Sequence, residues 1–143
     1  MTDSLRFTKT DYEVLAEFRY TLRRFLRFSE SAANEVGITP QQHQALLIVM
    51  GFPGHEKITI GELAERLQIH HHSAVGLVNR LVAENLIERI PAVNDRRLVY
   101  ISVTRHGLSA LKRLSKVHRE ELGLLAPQLR LLLERIIALS NSR

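Results

Sequence analysis

The chain contains no cysteine, which excludes a disulfide framework, a zinc-thiolate cluster and any switch based on thiol oxidation. No run approaches the roughly 18 to 20 apolar residues that a membrane-spanning helix needs, and the opening segment MTDSLRFTKT has no apolar core of a secretion signal. By default the chain is expected in the cytoplasm, with no membrane partner. Also lacking are a glycine-rich phosphate loop, a Gly-x-Ser-x-Gly elbow and a cysteine-histidine pair, so no side chain is set up as an activated nucleophile. The glutamates at 62 and 65 and at 120 and 121 fit helix caps and solvated faces better than paired catalytic carboxylates. The expectation is a protein that is not an enzyme and needs no cofactor.

What remains is a chain of 143 residues, long enough for one compact domain with a real core. Its 45% hydrophobic and 24% charged residues suit a folded globular protein. The formal net charge is +5, and of its 20 cations only Lys9, Lys57, Lys112 and Lys116 are lysine. The rest are arginine, whose planar fork matches phosphates and base edges, so nucleic acid is the favoured partner.

Helix punctuation is explicit. Thr10 to Glu13 reads as a Thr-x-x-Glu capping box, and Val14, Leu15, Phe18, Leu22, Phe25 and Leu26 then recur at helical spacing up to Asn34 to Gly37. Thr39-Pro40-Gln41-Gln42 opens a second helix, apolar nearly all round from Ala45 to Met50 and broken by Gly51 to Gly54. Lys57 and Ile58 suggest a short strand. Thr59 to Glu62 caps a third, short helix, Gln68 and Ile69 make a turn, and a fourth helix spans His70 to Glu84 with Ala74, Leu77, Val78 and Leu81 as its core stripe.

Leu86 to Val93 and Leu98 to Val103 predict two antiparallel strands around a polar tip, Asn94-Asp95-Arg96-Arg97. A helix begins at Thr104, an interruption is expected from Gly123 to Pro127, and a last helix runs from about Pro127 to Ser140 with Leu129, Leu132, Leu133, Ile136 and Ile137 on one stripe. There is no internal repeat.

Helix, tight turn, helix and basic-tipped hairpin make a winged helix-turn-helix. In such a module the second helix enters the major groove and presents its first turns to base edges. Its outward residues are His71, His72, Ser73, Val75, Gly76, Asn79 and Arg80, with His70 at its start and Thr59 at the start of the preceding helix. Imidazole and hydroxyl groups can exchange hydrogen bonds with bases, Val75 can touch a thymine methyl, Gly76 permits close approach and Arg80 suits a phosphate.

Two blocks, TIGELAERLQIHHHSAVGLVNRLVAENLIER and NDRRLVYISVTRHG, resemble the MarR family of bacterial regulators over roughly residues 10 to 140. The first is similar to that family's helix-turn-helix, the second to its wing signature. The match departs at Asn79, where an aspartate is common, at Asn85, where glycine is usual, and at Val103, where leucine is usual. The resemblance implies a mainly α fold with a small β-hairpin: a winged helix-turn-helix core at 39–103 flanked by long dimerisation helices at 10–36 and 105–140, in one domain spanning 1–143. It further implies that Asp95 braces Arg97, that Arg96 and Arg97 reach the minor groove, and that a homodimer binds a pseudo-palindromic operator. It implies, finally, repression relieved by a small aromatic or anionic ligand; no residue is assigned to a pocket for it.

Two other readings stand beside this one. A winged helix can serve as a protein-interaction module that never touches DNA, although exposed aromatic or aliphatic anchors would then be expected on the fourth helix. The seven histidines suggest a metal-responsive regulator, but consecutive helical positions point about 100 degrees apart and cannot converge on one ion, and no metal ligand is assigned.

Overall fold

The computed structural model describes residues 6–141. Along them run α1 (Lys9–Val36), α2 (Pro40–Met50), β1 (Lys57–Thr59), α3 (Ile60–Leu67), α4 (His71–Ala83), β2 (Ile87–Pro91), β3 (Val99–Val103) and α5 (Arg105–Asn141). They gather into two compact units, one of Ala32–Lys116 and one of the chain up to Ser31 together with that from Val117 onward. The mainly α fold with a small sheet and a helix-turn-helix is as expected from the sequence.

In the Ala32–Lys116 unit the expected caps close two helices. Thr39 Oγ1 accepts from the Gln42 N–H at 3.1 Å while Gln42 Oε1 accepts from the Thr39 N–H at 2.9 Å. Thr59 and Glu62 repeat the exchange at 3.1 and 3.0 Å. Each box satisfies two N–H groups that a bare helix end leaves open. Gln68 then takes the left-handed conformation (φ 55, ψ 47), which turns the chain from α3 into α4.

The hairpin pairs Ile87 with Val103 through Pro91 with Val99. The short strand at Lys57 joins the other edge of β3, pairing Lys57 with Ser102 and Thr59 with Tyr100. The sheet therefore has three strands in the order β1-β3-β2. Leu46 and Val49 of α2, Leu63 of α3, Leu77, Val78 and Leu81 of α4, Ile58, Ile87 and Ile101 of the sheet, and Leu111 and Leu114 of α5 fill one apolar core.

One junction holds the base of the hairpin. Asn85 has φ +59, a conformation that asparagine tolerates better than most residues other than glycine. Thr104 Oγ1 donates to the Asn85 carbonyl at 2.6 Å and the Thr104 N–H donates to the Leu86 carbonyl at 3.1 Å. The Gly107 N–H in turn donates to Thr104 Oγ1 at 3.0 Å. A Cβ on Gly107 would lie 2.1 Å from the Leu86 carbonyl oxygen and 2.9 Å from Val103 Cγ1, so this position admits no side chain without moving backbone.

In the other unit α1 and α5 lie antiparallel. His118 Nε2 and Ser29 Oγ are 2.7 Å apart, and Gln128 Nε2 donates to Glu17 Oε1 at 3.2 Å and to Thr21 Oγ1 at 3.5 Å. Further along, Val14, Leu15, Ile136 and Leu139 line one cleft. Phe25 and Phe28 meet the His118 ring edge-on. Val14 and Leu132 are buried, whereas Leu15, Leu26, Leu124, Leu131, Leu133 and Ile137 are exposed.

Two expectations are corrected. The first helix is capped by Thr8, not Thr10: the Thr8 N–H donates to Asp11 Oδ2 at 2.7 Å, and Thr8 Oγ1 accepts from the Asp11 N–H at 3.3 Å. Aspartate can close the same reciprocal box as glutamate, two residues earlier. The expected interruption between Gly123 and Pro127 is also absent, because α5 continues through Pro127 to Asn141. A proline strips one hydrogen bond from the carbonyl four residues back and crowds it. Here that residue is Gly123, exposed and at a position where an added Cβ would meet nothing within 4 Å, so water can satisfy the carbonyl and the glycine backbone can yield.

Substituting Gly107→Ala is expected to destabilise the winged unit by about 2 kcal/mol or more, the cost of overpacking against rigid backbone. Urea denaturation followed by circular dichroism checks this; an unchanged midpoint would contradict the close approach of α5 to Leu86.

Candidate nucleic-acid interface

Helix α4 splits cleanly into two faces. Ala74, Leu77, Val78 and Leu81 are buried, while His71, His72, Ser73, Asn79 and Arg80 are exposed and Val75 and Gly76 are half-buried. The division follows from the i, i+3, i+4, i+7 spacing of its apolar residues, which leaves every chemically versatile side chain on the solvent side.

Its N-terminus is open. His70 occupies the cap position in extended conformation, yet makes no side-chain cap hydrogen bond. The ring stacks instead on His72, centroids 6.0 Å apart and planes within 10°. The first N–H groups of α4 are therefore left to whatever acceptor approaches, at the positive end of the helix dipole. Thr59 is placed differently: its hydroxyl accepts from the Glu62 N–H and donates to Glu62 Oε1 at 3.1 Å, so its single O–H donor is engaged within the α3 cap.

Gly76 leaves space for its neighbour one turn on. A Cβ there would sit 3.6 Å from Arg80 Nη1, an ordinary contact, so the Arg80 side chain lies back across the glycine on the exposed face.

At the hairpin tip, Asn94, Asp95, Arg96 and Arg97 are all exposed. Asp95 Oδ1 accepts from the backbone N–H of Arg97 at 3.0 Å, and the Asp95 carbonyl accepts from the Leu98 N–H at 3.2 Å. The Ala92 N–H donates to the Leu98 carbonyl at 3.0 Å, closing the tip. Asp95 thus holds the loop through backbone, an Asx-type turn, and this bond leaves the Arg97 guanidinium uncommitted to it.

One residue of the site escaped the sequence reading. The Arg89 Nη2 of β2 donates to the Asn79 Oδ1 of α4, joining hairpin and helix on the exposed side. Arg89 shares its strand face with buried Ile87, two residues before it. A cation at that period, just past the core, has to reach out along the sheet edge, and that pattern was the available signal.

Among the described residues no group of three or more histidine, cysteine, aspartate or glutamate side chains is arranged to hold a metal ion, and no helix is long and apolar enough to cross a membrane.

Residues 36–98 match the model of the MarR family. The chain is 32% identical over 114 residues to the homoprotocatechuate degradative operon repressor of Escherichia coli, covering 74% of this chain and 75% of that protein. It is 31% identical over 71 residues to the HTH-type transcriptional repressor MdtR of Bacillus subtilis, a match spanning 50% of this chain and 44% of the repressor. Among solved structures, MepR, a transcription regulator of the Staphylococcus aureus multidrug efflux pump MepA, superposes with a TM-score of 0.72 at 20% identity, covering 96% of this chain and 100% of that one. Shared identity across three quarters of a curated repressor, on a winged helix-turn-helix whose core the family model matches, makes the chain a member of the MarR family of transcriptional regulators.

Proposed function

We propose that the chain is a sequence-specific double-stranded DNA-binding regulator acting as a homodimer on a pseudo-palindromic operator. The observation that carries this reading is that the exposed polar face of α4 and the hairpin tipped by Arg96 and Arg97 belong to one compact unit. A helix with an open N-terminus and a basic ribbon beside it are the two parts a winged helix needs: base edges in the major groove for one, phosphates and a narrow minor groove for the other.

His71, His72, Ser73, Val75 and Asn79 are assigned to base contact, with His70 and Gly76 at close approach and Arg80 on phosphate. Arg96 and Arg97 are assigned to the minor groove, held by Asp95. Thr59 acts at one remove, by capping the helix before the turn. The reading as a protein-interaction module has less support, because the outward side of α4 offers imidazole, hydroxyl, amide and guanidinium groups in place of aromatic or aliphatic anchors.

Homodimerisation is assigned to α1 and α5, which leave Leu15, Leu26, Leu131, Leu133 and Ile137 exposed; apolar surface of that extent on a folded chain marks an interface. A two-fold dimer sets its recognition helices about one DNA turn apart, ~34 Å, which is what a pseudo-palindrome demands. The direction of control is repression, in keeping with the curated relatives. Release follows when a small aromatic or anionic ligand binds the dimer state whose recognition helices are wrongly spaced, lowering DNA affinity by its differential binding free energy.

Replacing Arg96 and Arg97 together by alanine is expected to lower operator affinity at least about tenfold and to make binding less sensitive to salt, since with two cations fewer at the DNA surface binding releases fewer counterions. Fluorescence anisotropy on a labelled duplex across a salt series measures both; undiminished affinity would remove the hairpin from the interface. His72→Ala is expected to change the preferred base at one position of each half-site by about 1 to 3 kcal/mol, read by competition with single-base operator variants. A wild-type protein with no salt-dependent affinity for any duplex would overturn the regulator reading itself.

A further inference from the structure

We propose that Arg89 sets the base preference of Asn79, so that this position of the recognition helix reads a base with an acceptor-only edge, guanine O6 and N7 or thymine O4, and disfavours adenine. The inference rests on the reading that α4 faces the major groove, and it adds a specificity-determining pair split between helix and hairpin.

A guanidinium carries N–H donors and no acceptor. The atom of Asn79 that faces Arg89 Nη2 is accordingly the carbonyl Oδ1, and the amide plane is fixed by chemistry. With Oδ1 directed at Arg89, the NH2 end is turned away from it. A free asparagine reads adenine by using both ends at once, donating to N7 and accepting from the N6 amino group. Here one of the two lone pairs of Oδ1 is engaged by Arg89, and the remaining N–H groups and positive charge of the guanidinium stand beside the other. An adenine amino group brought there would meet donors with its own donor. The pair as a whole is dominated by N–H groups and positive charge.

The placement supports the role. Asn79 is exposed on α4, one turn beyond half-buried Val75 and two turns beyond His71 or His72, so it continues the stripe presented to a groove. Arg89 sits opposite Ile101 in the hairpin, on the strand face shared with Ile87, and extends from the end of the core to the helix. The bond is exposed in the free protein and solvent screens it. Docking against DNA would remove that water, strengthening the hydrogen bond and making any donor facing a donor costly.

The test is selection of bound duplexes from a randomised pool by the full-length wild type, Arg89→Ala and Asn79→Asp. Both substitutions replace exposed side chains, and a thermal melt of each checks the fold. The wild type is expected to enrich guanine or thymine at one position in each half-site. Arg89→Ala frees Oδ1 and is expected to shift that position toward adenine, on the order of tenfold relative to the wild type, leaving the other positions as they were. Asn79→Asp keeps a partner for Arg89 but has no N–H to offer, and is expected to lose the preference at the same position. An identical preference in wild type and Arg89→Ala, or effects of the two substitutions at different positions, would overturn the proposal while leaving the regulator reading intact. A wild type that enriches no sequence at all would overturn both.

Discussion

On the proposed reading the hairpin can address DNA only if its base is held, because a two-stranded ribbon on a loose hinge would sweep its tip through many positions and bind none of them well. The junction at Asn85, Leu86, Thr104 and Gly107 supplies that constraint. It closes immediately before β2 and immediately after β3, where α4 ends and α5 begins. Thr104 donates to two successive carbonyls, at Asn85 and Leu86, and its hydroxyl also accepts the Gly107 N–H of α5. The missing Cβ of Gly107 lets the helix come within reach of the Leu86 carbonyl. Helix α4, the hairpin and α5 are thereby tied at one point, and the tip inherits its position from that junction.

Around that anchor the apolar core and the polar face divide the labour. Residues at helical period on α4 and alternate residues of the sheet are committed to packing, which fixes where the remaining side chains emerge. The emerging set is rich in histidine and arginine, and it is deployed with little internal neutralisation. Asp95 spends its carboxylate on backbone and His70 declines to cap its own helix. A surface left with uncommitted donors costs little while water solvates it, and it becomes useful only when acceptors replace that water. The arrangement fits polyanion binding whose affinity is set by charge and whose selectivity is set by a few oriented groups.

Orientation is where the helix and the ribbon meet. The bond from Arg89 to Asn79 decides which end of an amide looks outward, and Asp95 decides the conformation of the tip without holding an arginine side chain. In both cases a residue outside the proposed reading face orients what that face presents. On the proposed reading, single substitutions in the ribbon therefore alter base preference as well as overall affinity.

Much of this was legible in one dimension. Threonine caps at 39 and 59, the 3.6-residue period of α4 and the polar tip at 94 to 97 are local rules, satisfied within a few residues of each other, and the structure obeys them. Local rules failed where two residues could serve equally: Thr8 with Asp11 took the cap expected of Thr10. They failed again at Pro127, where the cost of a proline depends on whether water reaches the carbonyl four residues back. The third strand's place in the sheet, the clamp at Gly107 and the pairing of Arg89 with Asn79 join residues distant in sequence or on different elements. Composition and periodicity determined which side chains would face solvent; packing alone decided which of them would meet, because contact between elements is a property of geometry that no local spacing encodes.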